Sequence, residues 1–312
     1  HTDSSAASDV YKRQVINNDF NISNAAKAIH TSQPGVSKQI QLFEQELGVQ
    51  IFQRHGKRLM GLTDPGALVY KSIEKILRES KNIKNISAEY ENNDTGVFTI
   101  ATTHTQARYK LPMVVESFVK KYPNINLNIH QGNPSQVTEQ ILEGEADVGI
   151  ATEAISQDNK IFCIPCYSWN RSLVMPREHP LAKEPNITLK HLVSYPLITY
   201  DYAFTGSTIV SKVFKEANLE PNIMLTAIDA DVIKTYVNLN LGIGLIAEMA
   251  FNKEKDKELI ARDVSHLFPI STTHIGIRQE SFVRNFTFDF IRMFIPSKTE
   301  SELKLILQKR YT

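Results

Sequence analysis

Short hydroxyl and amide side chains recur in this chain where a β-rich run gives way to a helical one. The stretch ATTHTQARY places Thr103, His104, Thr105 and Gln106 directly after the run 97–101. Thr152 follows the run 148–151, and Thr205 in AFTGST precedes another helical stretch, with Gly206 allowing close backbone approach. In open α/β sheets, small ligands sit beyond the carboxyl ends of strands, among the free backbone donors of helix N-termini. Neutral hydroxyl and amide groups there suit a small anion or a zwitterion. Each threonine taken singly reads first as an N-cap, the commonest use of Thr at a helix start. Three such junctions with matching chemistry point towards a pocket.

Other reactive types are present but do not assemble into a catalytic pattern. His104 between Thr103 and Thr105 could form a nucleophile–base pair, and Asp229 with Asp231 a carboxylate pair. Against an enzyme, the sequence has no Gly-x-Ser-x-Gly elbow, phosphate loop or metal-ligand cluster. His104 therefore reads as a local structural donor. Asp229 and Asp231 read as caps of a helix starting near Val232, or as groups that hold two lobes together. The two cysteines, Cys163 and Cys166, form a lone Cys-x-x-Cys without the second pair that zinc needs. Placed at a strand end around Pro165, they read as structural. The expectation is a protein that is not an enzyme and uses no cofactor or metal.

These residues need a scaffold, and the second part of the chain supplies one. β-rich runs at 97–101, 127–131, 148–151, 173–175, 197–199, 243–246 and 273–277 alternate with helix candidates at 108–122, 135–143, 208–217, 232–239 and 282–294. That alternation predicts parallel sheets with helices on both faces, in two lobes with a cleft between them. Before them, residues 65–91 carry Val69, Ile73, Ile76, Ile83, Ile86 and Tyr90 among Lys, Arg and Glu. Spacings of three and four over several turns suit a coiled-coil seam, although one amphipathic helix lying on its own domain would show the same pattern. NNDTG at 92–96 is a turn-rich break.

Further upstream, residues 23–48 hold two helical patterns close together. Ala25, Ala26 and Ile29 form a small apolar face; Val36, Ile40, Phe43 and Leu47 recur at helical spacing after a turn around His30. Small alanines permit the close approach of a helix-turn-helix pair. The second helix opens with Ser32, Gln33, Pro34, Ser37 and Lys38, and Pro34 suits a first turn. A helix N-terminus bearing Gln, Ser and Lys fits the major groove, where amides and hydroxyls read base edges and Lys meets phosphate. An ordinary helical hairpin with a solvated polar face is the alternative on spacing alone. The net charge of +1 over 312 residues excludes a global basic field, so DNA contact must be local. Arg54, Lys57 and Arg58 around Gly56 form the basic cluster of a wing. No apolar run is long enough to cross a membrane and no export signal is visible, so cytoplasm and no membrane partner are the expectations.

Two sets of motifs go beyond spacing. SQPGVSKQIQLFEQELGVQIFQR resembles the DNA-binding unit of the LysR-type transcriptional regulators, with Phe43 and Ile51 as mild departures. ATTHTQARY, HQGNP, GEADVGIATEA, CYSWNR, AFTGS and DADVIKTY resemble the effector domain of the CysB- and Cbl-like branch, which controls sulfur assimilation and the cysteine regulon. The resemblance implies an α/β fold: an N-terminal winged helix-turn-helix over 1–64, a dimerising linker helix over 65–92, and a two-lobed periplasmic-binding-protein-like effector domain over 93–312. It implies a homotetramer on double-stranded promoter or operator DNA, with RNA polymerase as a further partner. It implies N-acetylserine or O-acetylserine, sulfate or thiosulfate as the effector, held by Thr103, Thr105, Gln106, Thr152 and Thr205 with Trp169 close by. One departure is Ser207, where related proteins carry Arg. Another is HTDSSAASDVYKRQ at 1–14, which lacks the first helix of the family and reads as non-native. The alternatives are a free-standing solute-binding protein, which the helix-turn-helix opposes, and a regulator of another regulon with a changed ligand.

Overall fold

The computed structural model describes residues 15–16, 20–56, 58–91, 94–201 and 205–311, without the side chains of 153–154, 205–208 and 311. The expectations for residues 1–14 and for Lys57 fall outside that description. The chain divides into two compact units between Tyr90 and Glu91.

The first unit is built around a helix pair. Helix α1 (Ile22–Ala28) starts where the Asn21 side chain accepts from the amides of Ser23 and Asn24, satisfying two orphan donors. Its Ala25 and Ala26 are buried against α2 (Gln33–Leu47), which contributes Val36 and Ile40. The turn between them passes through His30 at φ 53. Helix α2 ends at Gly48, whose φ of 68 is the left-handed geometry that glycine adopts at no steric cost. Strands β1 (Phe52–His55) and β2 (Arg58–Leu62) then form an antiparallel wing. Helix α3 (Asp64–Tyr90) closes the unit. Along it Ile76, Ile83 and Tyr90, seven residues apart, stay 54%, 67% and 83% exposed, so this row contributes nothing to the unit's own core.

The second unit begins with β3 (Gly96–Thr102), α4 (His104–Tyr109), α5 (Leu111–Lys121), β4 (Ile125–Gln131), α6 (Pro134–Leu142), β5 (Val148–Ala151) and β6 (Ile161–Trp169). The expected single helix over 108–122 is two helices. The break falls at Lys110, just before Pro112, which lacks an amide N–H and clashes with a preceding helical turn. After Asn170 the chain enters a second lobe: β7 (Arg171–Pro176), α7 (Leu189–Val193), β8 (Leu197–Tyr200), α8 (Thr205–Glu216), β9 (Ile223–Ala227), α9 (Ala230–Asn238), β10 (Ile243–Ala247) and β11 (Leu259–Asp263). It returns to the first lobe through β12 (Ser271–Arg278), α10 (Asn285–Phe294) and α11 (Glu300–Gln308).

Each lobe holds a five-stranded sheet, ordered β4-β3-β5-β12-β6 in the first and β11-β7-β10-β8-β9 in the second. The sheets are mixed rather than parallel. β12 runs against both its neighbours in the first lobe, and β7 against both of its own in the second. Both reversed strands follow a passage between lobes, where the chain enters a new sheet without the crossover helix that makes a parallel neighbour. In the first lobe Phe98, Phe118, Phe286 and Phe290 pack edge-on or tilted with ring centroids 5.1–6.4 Å apart. Complete burial of each such ring contributes about 1.5–3 kcal/mol. Leu173, Leu197, Phe214, Ile243 and Phe268 fill the second lobe.

Cys163 and Cys166 lie inside β6 and not at its end. The ladder with β12 slips between Thr273 and His274, opposite Tyr167 and Pro165, which leaves Cys166 as the extra residue of a bulge. A proline without an amide donor in this edge strand accounts for the slip. Burial pushes the thiols up to about 11 for Cys163 and about 12 for Cys166, so both stay protonated and unreactive at neutral pH.

Candidate DNA-reading helix and effector cleft

The exposed face of α2 presents Gln33, Lys38 and Gln41, with Ser37 half-buried beside them. Pro34 sits in the first turn, as its missing amide donor allows, and is exposed. Ser32 caps the helix, its hydroxyl accepting from the Gly35 amide at 3.2 Å. Arg54 is also engaged. Its guanidinium donates to Glu44 at 2.6 Å, and the other oxygen of Glu44 accepts from the Ile51 and Phe52 amides at 2.9 and 3.1 Å. One carboxylate thereby ties α2 to the start of the wing, a physical reason for an acidic residue in FEQELG. Arg58 is exposed on the wing and, with Gln33, lines a groove of about 520 Å³. A second groove, about 800 Å³, runs along Gln33, Ser37, Gln41 and Gln45 towards Gly56. Helix α2 is thus flanked on both sides by open space.

In the second unit five of the six expected residues, all but Thr205, stand at the carboxyl ends of β3, β5 and β6. Thr103 is buried, with its amide donating to the Ile150 carbonyl at 3.4 Å. Thr103 and Thr152 occupy N-cap positions, yet neither caps with its side chain. The capping explanation therefore fails for both. Gln106 is 1% exposed; its amide donates to Thr273 at 3.2 Å and its carbonyl oxygen accepts from the Tyr167 hydroxyl. Trp169 donates its indole N–H to the same Thr273 hydroxyl at 3.2 Å. Burial raises the Tyr167 phenol well above its ordinary range, so this buried network stays neutral. Thr105 reaches across to the second lobe, where it hydrogen-bonds Tyr200, whose hydroxyl also accepts from the Ala247 amide at 3.2 Å. The backbone of Thr205 starts α8 in that lobe; its side chain and that of Ser207 lie outside the described residues.

Among the described side chains, those of Thr103, Thr105, Gln106, Thr152 and Trp169 do not border a cavity that lies in the cleft. That cavity, about 370 Å³, is bordered by His104, Gln131, Gly132, Asn133 and Gln136 from the first lobe and Asp201 and Ile228 from the second. Its walls are the carboxyl ends of β3, β4, β8 and β9, the position that open α/β sheets give their ligands. The residues expected from the sequence lie at the β3 end, whereas the cavity also takes in the β4 end. Gly132-Asn133-Pro134, a turn feeding a helix start, was the available signal.

Both readings of the aspartates hold, one for each. Asp229 caps α9 by accepting from the Val232 amide at 2.8 Å. Asp231 joins the lobes, accepting from the Tyr109 hydroxyl at 2.7 Å and pairing with Arg108 at 2.8 Å, both on α4. Lys234 meets it from its own lobe at 3.2 Å and also binds Asp256 at 3.0 Å. Burial alone would raise the Asp231 carboxyl. Hydrogen bonds from Tyr109 and Lys234, with the charges of Lys234 and Arg108, outweigh it and hold the group below its ordinary value.

A capped helix pair with a wing, followed by a two-lobed α/β unit, is the arrangement of a DNA-binding transcriptional regulator. The family model for the bacterial regulatory helix-turn-helix protein, lysR family, matches residues 15–67, and that for the LysR substrate binding domain matches residues 91–296. The chain is 44% identical over 299 residues to the HTH-type transcriptional regulator SsuR of Burkholderia cenocepacia, covering 96% of this chain and 97% of that protein. It is 45% identical over 287 residues to CysB of the same organism, covering 92% of each. The crystal structure of the cofactor-binding domain of the Cbl transcriptional regulator covers 68% of this chain and 93% of its own, at 38% identity and a TM-score of 0.64. This chain belongs to the LysR family of DNA-binding transcriptional regulators and is not an enzyme. Among the described residues, no helix is long and apolar enough to cross a membrane.

Proposed function

We propose that this regulator controls genes of sulfur assimilation and cysteine biosynthesis, and that a small polar effector in the cleft between its lobes sets its activity. The observation that carries the effector reading is the cavity of about 370 Å³ bordered by strand ends of both lobes, since a molecule bound there touches both and biases their spacing. The sulfur assignment draws on near full-length similarity to SsuR and CysB. Acetylserine, sulfate and thiosulfate are the candidate effectors. The exposed row of Ile76, Ile83 and Tyr90 suits pairing of α3 with a second copy, and a homotetramer would bring paired reading heads to promoter DNA and RNA polymerase.

A thermal-shift panel of N-acetylserine, O-acetylserine, sulfate, thiosulfate and unrelated anions tests the effector. A ligand at a hundred times its dissociation constant adds about 2.7 kcal/mol to the unit that binds it. A selective rise with one member supports the reading, whereas no rise with any removes the sulfur assignment.

On DNA, Gln33 and Ser37 are placed to read base edges and Lys38 to meet phosphate. Lys38→Ala is expected to weaken binding to every sequence and to flatten the salt dependence by about one unit of log–log slope. Gln33→Ala is expected to relax base preference at one position, by about 1–3 kcal/mol of discrimination. Binding-site selection on both variants reads the difference, and unchanged preference in Gln33→Ala would displace α2 from the major groove.

A further inference from the structure

We infer that Arg171 sets the spacing of the two lobes, because its guanidinium braces both passages of the described chain between them. It is a positioning residue, and its role does not depend on which ligand the cleft takes.

The chain leaves the first lobe at Trp169, Asn170 and Arg171 and returns to it through Pro269, Ile270 and Ser271. The two crossings run side by side. Ser271 stands opposite Trp169 in the β12–β6 ladder of the first lobe, while Arg171 stands opposite Ala247 in the second-lobe sheet. Asn170 follows the second lobe: its amide donates to Glu248 Oε1 at 3.1 Å and its carbonyl accepts from the Glu248 amide at 2.9 Å. The outward crossing therefore pivots between Trp169 and Asn170. On the return, Ile270 is 62% exposed, so burial of its side chain does not fix that pivot.

Arg171 spans both pivots. Its backbone belongs to β7 of the second lobe, and the residue is only 3% exposed. Nη1 donates to the Pro269 carbonyl and Nη2 to Ser271 Oγ, each at 3.2 Å, and Ser271 starts β12 of the first lobe. Its Cζ lies 5.3 Å from the centre of the Trp169 ring, which ends β6, and 6.0 Å from that of Phe268, in the second-lobe core. One cation thus holds groups of each lobe and of each crossing. Rotating the lobes apart would carry Ser271 and Trp169 away from it together. A planar fork that bonds two acceptors beside aromatic rings is what Arg supplies and Lys does not. Trp169 in turn donates to Thr273, the hydroxyl it shares with Gln106, so the brace continues into the buried polar network of the first lobe.

The test reads lobe spacing in the full chain. Nitroxides on Glu139→Cys in α6 and Lys190→Cys in α7, exposed sites in the first and second lobes, report the distance by pulsed dipolar spectroscopy. Unlabelled chain in excess restricts the signal to pairs within one molecule. Arg171→Lys is expected to broaden the distance distribution at least about twofold, as a hinge does when its brace is released. Ser271→Ala removes one acceptor and leaves the Trp169 contact, so it should broaden the distribution less. The double variant should match Arg171→Lys, because the two groups act as one unit. Phe290→Leu, which thins the first-lobe core away from the crossings, should lower thermal stability and keep the wild-type width. Trp169 is the only tryptophan of the chain, so its emission gives a second reading. Acrylamide should quench it more in Arg171→Lys and Ser271→Ala, and not in Phe290→Leu. Wild-type width in Arg171→Lys overturns the inference, as do additive effects in the double variant or equal broadening in Phe290→Leu. If Arg171→Lys fails to fold, the width in Ser271→Ala decides in the same way. Each of these failures leaves the effector reading in place.

Discussion

Gly66→Ala is expected to abolish operator binding while leaving any effector-induced stabilisation of the second unit intact. A Cβ at Gly66, in the first turn of α3, would lie 2.0 Å from the Ile51 carbonyl oxygen, 2.8 Å from its carbon and 3.0 Å from its Cα. These are backbone atoms, and they are held from three directions. The Ile51 carbonyl accepts from the Thr63 amide at 2.9 Å, the Ile51 amide donates to Glu44, and the Ile51 side chain is 2% exposed in the core of the unit. No flexible side chain can yield, so one methyl group must drive α3 away from the segment that leads into the wing. Overpacking of a well-packed site costs about 1–3 kcal/mol, and a backbone clash of this depth lies at the upper end. Loss of the α3 contact loosens the base on which α2 and the wing are set. Hydrogen exchange should show reduced protection in α1 and α2, with α10 and β5 unchanged. Fluorescence anisotropy with operator DNA reads the functional loss. Wild-type operator affinity in Gly66→Ala would mean that α3 and Ile51 are further apart than described.

Much of this molecule was legible in the sequence where burial is one-sided or complete. The interior strands β3, β5, β8, β10 and β12 appear as apolar runs because both of their faces are covered, and their positions were found within a few residues. The strands missed, β6, β9 and β11, all lie at sheet edges. An edge strand has one neighbour and partial cover, so its residues mix types; only Leu259 of β11 is buried, and none of β9. Pro165 hid β6 further, because the bulge that accommodates it mimics a strand end. Helix α2 was visible from Ser32-Gln33-Pro34 and the Val36–Ile40 spacing, but the cap formed by Ser32 and the tie between Arg54 and Glu44 were not. Those depend on which side chains meet in space. The same holds at the cleft. Thr105, Gln106 and Trp169 stand at strand ends, and their polar groups are turned to Tyr200, Tyr167 and Thr273. Periodicity and strand-end chemistry point to candidate positions; partner choice among them needs the packing.

Asp231→Asn is expected to weaken effector binding about tenfold without unfolding the second lobe, the weight of charge-assisted hydrogen bonds between lobes after solvent screening. Asp231 is the acceptor through which α4 of the first lobe, by Tyr109 and Arg108, holds α9 of the second. The N-terminal residue of that same short helix, His104, borders the cavity, so one element carries both the ligand wall and the grip on the opposite lobe. With the carboxylate gone, the lobes sample wider spacings and a ligand must restore the bound one at the cost of its own affinity. The fold itself survives because Lys234 keeps Asp256 at 3.0 and 3.1 Å and the Ala250 carbonyl at 2.9 Å, so no buried charge is stranded. Tyr109→Phe removes one of the two bonds and should give roughly a threefold loss. The sign of the pH dependence follows from the depressed Asp231 value. Its contribution is fully present above the ordinary carboxylate value of about 4 and disappears as pH falls through the lower folded value. Between about pH 5 and pH 8 the grip is therefore constant, and the ratio of wild-type to Asp231→Asn affinity should be flat across that range. Calorimetric titration of both proteins at several pH values checks it. Equal affinities would show that the lobes hold their spacing without Asp231, and a ratio that climbs from pH 6 to pH 8 would assign the coupling to a histidine instead.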